Sequence, residues 1–136
     1  MESNEPAPRL LVADNDPSIL ARCVEMLGVY FEVQTASSGV EAIHKLARMD
    51  SLAGVICDLD IEPGPDGSVV MSMARGLHAS AFRLMVTTRH DTAVLPDAVR
   101  STAHLWMSKP LRCQCVLDAL LLGWSDDRPS LTEASQ

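Results

Sequence analysis

The feature that most constrains the fold is an alternation of short apolar runs with amphipathic segments, which repeats five times between residues 9 and 122. The apolar runs have the length of strands, and the segments between them carry helical spacing of apolar residues together with capping signals. Consecutive parallel strands need a crossover connection, which is usually a helix. The sequence therefore predicts an α/β domain, a doubly wound (βα)5 fold with a five-stranded parallel sheet.

The element bounds follow from the same pattern. The predicted strands are Arg9–Ala13, Glu32–Ala36, Gly54–Cys57, Leu84–Val86 and Leu105–Met107. The predicted helices are Pro17–Leu27, residues 39–48, a helix that follows Gly67 and runs to about His78, Asp91–Thr102 and Leu111–Leu122. Asp16 is expected to cap the first helix, and Ser38 with Glu41 forms a capping box for the second. Pro96 is expected to delay or distort the fourth helix.

One apolar stripe on the first helix is expected to face the core. Its members are Ile19, Leu20, Cys23, Met26 and Leu27. Residues 1–8 form a polar arm and residues 123–136 a polar tail, so the expected domain covers residues 9–122.

Composition narrows the class of protein. The chain of 136 residues is long enough for one domain, and its net charge of −7 argues against a nucleic-acid surface, which would need a basic patch. There is no secretory signal and no apolar run of about 18 residues, so we expect a cytoplasmic protein without a membrane span. The four cysteines form no CxxC pair, which favours reduced thiols over a metal site.

Polar residues follow four of the five predicted strands. They are Asp14, Asn15 and Asp16 after the first strand, Asp58 and Asp60 after the third, Thr87 and Thr88 after the fourth, and Ser108, Lys109 and Pro110 after the fifth. The carboxyl ends of parallel strands share one edge of the sheet, where such folds bind ligands. A single acid at a strand end is usually a helix cap, but residues at four strand ends together predict a functional site.

The residue types at this edge favour phosphoryl transfer. Grouped carboxylates raise one another's pKa unless a cation lies among them, and Mg²⁺ is the cation that prefers such oxygen ligands. A carboxylate beside that metal can attack phosphorus and form an aspartyl phosphate. The Lys109 ammonium and a threonine hydroxyl would then contact the phosphoryl oxygens.

The sequence resembles the response regulator receiver domains of two-component signalling. Four motifs carry the resemblance: LLVADNDPSIL at 10–20, VICDLDIEPGPDG at 55–67, MVTT at 85–88 and WMSKP at 106–110. The motifs occur in receiver-like order and spacing, and the resemblance covers about residues 9–122. The resemblance implies a flavodoxin-like strand order of 2-1-3-4-5.

The resemblance also implies a role for each matching residue. Asp58 corresponds to the phosphoacceptor, and Asp14 with Asn15 to the acidic pair that holds Mg²⁺. Asp60 is expected to offer its backbone carbonyl to the metal. Thr87 corresponds to the hydroxyl residue that contacts the phosphoryl group. Lys109 corresponds to the lysine that pairs with that group and precedes a cis Pro110. Trp106 corresponds to the residue at the aromatic switch position.

This chain departs from the receiver pattern at three places. Asn15 replaces an acid, which predicts weaker Mg²⁺ binding. An alignment shifted by one residue would make Ala13 and Asp14 the pair, but it is disfavoured because it displaces Pro17 from the helix start. The loop from Asp58 to residue 67 is one residue longer than is common, and the Asp60 carboxylate could partly restore the lost charge. Thr88 replaces a small residue.

The partners implied are a histidine kinase or histidine phosphotransfer domain as phosphodonor, and a downstream protein. A homodimer through helix 4, strand 5 and helix 5 is a further expectation, with Leu111, Leu122 and Trp124 as candidate apolar surface. The chain is expected not to be a metabolic enzyme.

Two alternative functions stay open. The first is a degenerate receiver that binds partners without phosphorylation, which Asn15 supports. The second is a dehalogenase-type phosphatase, which Asp58-Leu59-Asp60 suggests and Glu62 disfavours.

Overall fold

The computed structural model describes residues 6–89 and 92–121. The strands are β1 (Arg9–Ala13), β2 (Glu32–Ala36), β3 (Gly54–Asp58), β4 (Phe82–Thr87) and β5 (Leu105–Ser108). The α-helices are α1 (Pro17–Leu27), α2 (Gly39–Arg48), α3 (Gly67–Leu77), α4 (Asp97–Arg100) and α5 (Cys113–Leu121), and a 3-10 turn at Thr92–Val94 precedes α4. Within these residues no helix is long and apolar enough to cross a bilayer.

The five strands form one sheet in the order β2-β1-β3-β4-β5, with every neighbouring pair parallel. This arrangement confirms the predicted α/β class and strand order. Ala13 pairs with Cys57, and Thr87 pairs with Ser108, so the strands end at nearly the same level. The residues that follow them consequently meet at one edge, which we call the carboxyl edge.

Apolar clusters cover both faces of the sheet. In β3, Cys57 belongs to the cluster that includes side chains of α2 and α3, whereas Ile56 belongs to the cluster that includes side chains of α1 and α5. All residues of β3 are buried. A central strand that is covered on both faces is mostly apolar, which explains the unbroken apolar run Val55–Cys57 before Asp58.

Local side chains set the helix starts as predicted, with one difference. The Asp16 carboxylate accepts the Ser18 N–H at 2.9 Å, and Ser38 Oγ accepts the Glu41 N–H at 3.1 Å. The Glu41 carboxylate, however, accepts the N–H of Ser37 at 2.7 Å rather than that of the cap residue. The return bond of the capping box is therefore displaced by one residue.

Several predicted bounds were wrong. The fourth helix is a single turn after Pro96, because a proline lacks the N–H for a helical bond and disfavours helical geometry in the residue before it. Helix α5 begins at Cys113, two residues later than predicted, and its predicted end at Leu122 lies outside the described residues. Met26 is 47% exposed, so it does not belong to the buried stripe of α1.

The third, fourth and fifth strands were predicted too short, and β5 ends at Ser108 rather than at Met107. Asp58 is itself the last residue of β3, where it pairs with Val86. Strand β4 begins at Phe82 because Phe82 and Arg83 continue the ladder with β3. The arginine interrupts the apolar run, so the run predicted from the sequence begins only after it.

Replacing Gly39 with alanine is expected to lower the free energy of unfolding by about 3 kcal/mol, since overpacking typically costs 1–3 kcal/mol. A Cβ atom at Gly39 would lie 1.9 Å from the carbonyl oxygen of Pro65, which is backbone and cannot rotate away. Urea unfolding measures the change. Gly76→Ala is the matched control: its Cβ meets no atom within 4 Å, and the helix should gain about 0.8–1 kcal/mol. Equal unfolding midpoints for Gly39→Ala and the wild type would contradict the contact.

Candidate functional site

Three charged side chains converge at the carboxyl edge. Lys109 Nζ lies 3.1 Å from Asp14 Oδ2 and 3.2 Å from Asp58 Oδ2. The side chains of Asp14, Asp58 and Lys109 are only 5%, 9% and 18% exposed. Each follows or ends a different strand, so the contact joins β1, β3 and β5. Residues far apart in the sequence thus form one compact ionic cluster with two negative charges and one positive charge.

The backbone around the cluster orients both carboxylates. Asp14 Oδ1 accepts the Asp16 N–H at 2.9 Å, and Asp58 Oδ1 accepts the Asp60 N–H at 3.2 Å. Each aspartate therefore uses one oxygen to bind its own loop and directs the other toward Lys109. The Lys109 N–H in turn donates to the Thr87 carbonyl at 2.8 Å, which ties the lysine to β4.

The pKa values reflect a buried site with an excess of negative charge. Burial raises the pKa of Asp58, and the negative charge of Asp14 adds to this effect, although hydrogen bonds from Asp60 and Lys109 oppose it. Burial by itself lowers the pKa of Lys109, because it disfavours the charged ammonium. The contacts of the ammonium with Asp14 and Asp58 outweigh this effect, so the pKa is raised. Lys109 is thus held protonated, and one ammonium is shared by two carboxylates.

The start of α3 packs directly beneath Asp58. The Gly67 N–H donates to the Leu59 carbonyl at 2.8 Å, and a Cβ on Gly67 would lie 2.6 Å from the carbonyl oxygen of Asp58. Glycine is required here because backbone approaches backbone. The Asp66 carboxylate caps α3 by accepting the Ser68 N–H at 3.0 Å.

Two peptide bonds near this edge are cis. The Lys109–Pro110 bond is cis, as the resemblance implies, and the Glu62–Pro63 bond in the long β3–α3 loop is cis as well.

Thr87 and Trp106 occupy buried positions beside the cluster. Thr87 is completely buried, and its hydroxyl oxygen accepts the Arg89 N–H at 3.0 Å. None of the hydrogen bonds of the described residues joins that hydroxyl to Asp58 or Lys109. Trp106 is 6% exposed, and its indole N–H donates to the Arg100 carbonyl at 3.0 Å. In this conformation Trp106 packs in the core and is hydrogen-bonded to the end of α4.

Asn15 and Asp60 lie at the exposed rim of the site. The Asp60 carboxylate forms an ion pair with Arg89, with Oδ1 and Nη2 3.2 Å apart. This half-exposed ion pair offsets part of the negative charge that the Asp60 carboxylate could bring to the site. The sequence interpretation missed Arg89, although its position two residues after Thr87, at the same edge of the sheet, was a usable signal.

The residues at the edge fit a divalent cation. Asp14 and Asp58 direct carboxylate oxygens at the same ammonium, which shows that both can approach one positive charge. Among residues 6–89 and 92–121 no three His, Cys, Asp or Glu side chains cluster as metal ligands. A magnesium ion would thus need further oxygen ligands, and the Asn15 amide and the Asp60 carbonyl are the ones the sequence suggests.

Comparison with solved structures assigns the fold. A response regulator receiver domain from Clostridium thermocellum is similar with a TM-score of 0.74 and 23% identity, over 85% of this chain and 92% of that chain. The chain has the fold of a response regulator receiver domain. Most of the similar structures share that description, which agrees with the resemblance drawn from the motifs.

The descriptions of two other similar structures name more than a receiver domain. A response regulator from Burkholderia pseudomallei, described with a phosphorylated aspartic acid, calcium ion and citrate, has 24% identity and a TM-score of 0.68 over 83% of this chain and 66% of that chain. A chain described as adenylate cyclase from Rhodopirellula baltica has 27% identity and a TM-score of 0.74, over 85% of this chain and 86% of that one. No family model and no curated protein matches the chain.

Proposed function

We propose that this receiver fold accepts a phosphoryl group on Asp58 and changes a partner-binding surface in response. The observation that carries the proposal is the convergence of Asp14 and Asp58 on Lys109 at the carboxyl edge. A nucleophilic carboxylate, a second carboxylate for a cation and a fixed ammonium are the groups that phosphoryl transfer to aspartate requires.

In the proposed reaction an oxygen of Asp58 attacks the phosphorus atom of a phosphohistidine. An O–P bond forms while the N–P bond breaks, and the electron pair leaves with the imidazole nitrogen, which is protonated from solvent. Lys109 stays protonated and neutralises the phosphoryl oxygens. Asp14, Asn15, Asp58 and the carbonyl of Asp60 would hold Mg²⁺, which when bound supplies further positive charge to those oxygens.

The similar structure from Burkholderia pseudomallei supports this chemistry, since its description names a phosphorylated aspartic acid and a calcium ion. The phosphodonor of this chain would be a histidine kinase or a histidine phosphotransfer domain. Arg89 and Asp60 form a half-exposed ion pair at the rim of the site.

The proposed response begins at Thr87 and Trp106. A phosphoryl group on Asp58 offers a new acceptor to the Thr87 hydroxyl, and moving Trp106 requires the loss of its hydrogen bond to Arg100 at the end of α4. The surface formed by α4, β5 and α5 would then change its preference for a downstream protein or a second copy of the chain. Val94 and Leu121 are exposed apolar residues of this region, whereas Leu122 and Trp124 lie outside the described residues.

The test is phosphorylation by a small donor. The protein is incubated with Mg²⁺ and acetyl phosphate, and its intact mass is measured with and without EDTA. We expect one added phosphoryl group that depends on Mg²⁺ and disappears after hydroxylamine treatment, which cleaves acyl phosphates.

The exposed Asn15 favours a second candidate, a degenerate receiver that binds partners without phosphorylation. That candidate predicts neither an adduct nor a Mg²⁺-dependent change in tryptophan fluorescence. Obtaining both negative results would replace the phosphoacceptor proposal with this one.

A further inference from the structure

Two loops at the carboxyl edge are tied to the site in the same way. The N–H of Asp60 donates to Asp58 Oδ1 at 3.2 Å, and the N–H of Arg89 donates to Thr87 Oγ1 at 3.0 Å. Asp58 is the last residue of β3 and Thr87 is the last residue of β4, and these strands are neighbours in the sheet. In each loop, therefore, the residue two positions past the strand holds the side chain at the strand end.

The side chains of the same two loop residues contact each other. Arg89 Nη2 lies 3.2 Å from Asp60 Oδ1, and both side chains are half-exposed. The ion pair completes a continuous path of contacts from Asp58 through Asp60 and Arg89 to Thr87. Separation of the two loops therefore requires the loss of this pair.

The path holds the Thr87 hydroxyl in a position that does not serve the phosphoacceptor. Thr87 is completely buried, and its hydroxyl oxygen accepts the Arg89 N–H. In the part of the chain that the structure describes, the hydrogen bonds do not join this hydroxyl to Asp58 or Lys109. The proposed response nevertheless needs the hydroxyl to contact a phosphoryl group on Asp58.

We propose that the Arg89–Asp60 ion pair is a latch, which keeps the Thr87 hydroxyl on the Arg89 amide until a phosphoryl group on Asp58 draws it away. Arg89 is then a positioning residue, because it acts through Thr87 and not by contact with the reacting atoms. This inference rests on the proposed function, since it concerns how readily Thr87 contacts the group that Asp58 accepts.

The hydroxyl can reach the phosphoryl group by two routes. If Thr87 turns alone, the Arg89 N–H loses its acceptor, which is costly whether or not the ion pair is present. If the β4–α4 loop moves with Thr87, the N–H keeps its acceptor but the ion pair must break. The latch controls this second route. A half-exposed ion pair contributes little free energy, so we expect its loss to accelerate phosphorylation by about 2- to 5-fold.

The test is a double-mutant cycle of Asp60→Asn and Arg89→Met on the full chain. The rate of adduct formation with Mg²⁺ and acetyl phosphate is followed by intact mass. Each change also alters the attraction of the anionic donor, but such charge effects multiply independently, whereas the latch can be broken only once. The product of the two single rate ratios is therefore expected to exceed the ratio of the double variant by about 2- to 5-fold.

Repeating the cycle in Thr87 variants tests whether the latch acts through the hydroxyl. Thr87→Val keeps the shape of the side chain and removes the hydroxyl, so the coupling between Asp60 and Arg89 is expected to vanish. Thr87→Ala serves the same purpose if the valine variant does not fold. Thr87→Ser keeps the hydroxyl and is expected to retain the coupling.

A second ion pair provides the matched control. Arg9 Nε lies 3.2 Å from Glu32 Oε2, and both side chains are partly exposed. This pair joins the starts of β1 and β2, at the opposite end of the strands. A cycle of Arg9→Met and Glu32→Gln is expected to show no coupling in the rate of adduct formation.

The possible results separate the latch from the proposed function. Independent rate changes at Asp60 and Arg89, with a normal adduct on the wild type, would overturn the latch alone. Coupling that survives in Thr87→Val would also overturn it, because the pair would then act on the donor or the metal directly. The absence of an adduct from the wild type is a different result, which overturns the proposed function and the latch together.

Discussion

Replacing Asp58 with alanine is expected to abolish the phosphoryl adduct completely. In the proposed reaction the Asp58 carboxylate is the nucleophile, and Asp14 and Lys109 hold charges around it. Intact mass after incubation with Mg²⁺ and acetyl phosphate measures the loss. Asp60→Ala is the matched control, since it removes a carboxylate two residues away and keeps the backbone carbonyl proposed as metal ligand. We expect the control to form the adduct.

The same pair of variants separates the receiver from a phosphatase. If Asp60 acted as the acid of a phosphatase motif, its loss would stop multiple turnover on small phosphate esters. Its carboxylate is paired with Arg89, which does not suit that role. An adduct that persists in Asp58→Ala would show that another residue is the acceptor, and the proposed function would be wrong.

The isosteric change Asp58→Asn is expected to stabilise the domain at neutral pH, by about 2–4 °C in Tm. The pKa of Asp58 is raised in the folded state, so its ionisation costs stability as the pH rises above its ordinary value near 4. Asparagine removes that cost and leaves a balanced pair of Lys109 with Asp14. The gain should disappear in acid, where the aspartate of the wild type is protonated too.

Replacing Lys109 with methionine is expected to slow adduct formation by about 100- to 1000-fold, the cost of removing one charge-stabilising group. The change also leaves Asp14 and Asp58 buried beside each other without a cation. In EDTA the free energy of unfolding should fall by about 3 kcal/mol, at the low end for a broken buried pair because the site is open to water on one side. Stopped-flow phosphorylation and urea unfolding measure the two effects.

The pH dependence of the Lys109→Met variant has a definite sign. An unpaired buried carboxylate is destabilising only when it is ionised. Burial raises the pKa of Asp58 in the folded state, so the loss is present at neutral pH and vanishes as the pH falls below the ordinary value near 4. Lys45→Met makes the same chemical change at a half-buried lysine outside the site, whose Nζ lies 3.5 Å from Glu41 Oε2 and donates to the Thr35 carbonyl. It should alter neither rate nor pH dependence. An equal loss of stability at acid and neutral pH would contradict the charge argument.

The receiver fold could be predicted from the sequence because its evidence is local and repeated. The alternation of apolar runs and helical segments, the caps at Asp16 and Ser38, and the glycine and proline residues that interrupt them all act within a few residues. The short α4 also has a local cause, Pro96, whereas other wrong predictions occurred where a nonlocal contact decides. Strand β4 includes Arg83 because β3 lies beside it, and Met26 is exposed although its spacing on α1 matches that of Leu27.

The sequence by itself determined which side chains lie at the carboxyl edge, since parallel strands bring their ends together whatever their packing. Only the tertiary structure decided how those side chains pair. Lys109 binds both Asp14 and Asp58, Asp60 forms an ion pair with Arg89, and Trp106 packs inward and is hydrogen-bonded to Arg100. The burial of Arg83, whose Nε donates to the Thr102 carbonyl, was likewise invisible in the sequence. The approximate positions of the strands are set by local pattern, but ion pairs, burial and charge balance depend on distances between residues that are remote along the chain.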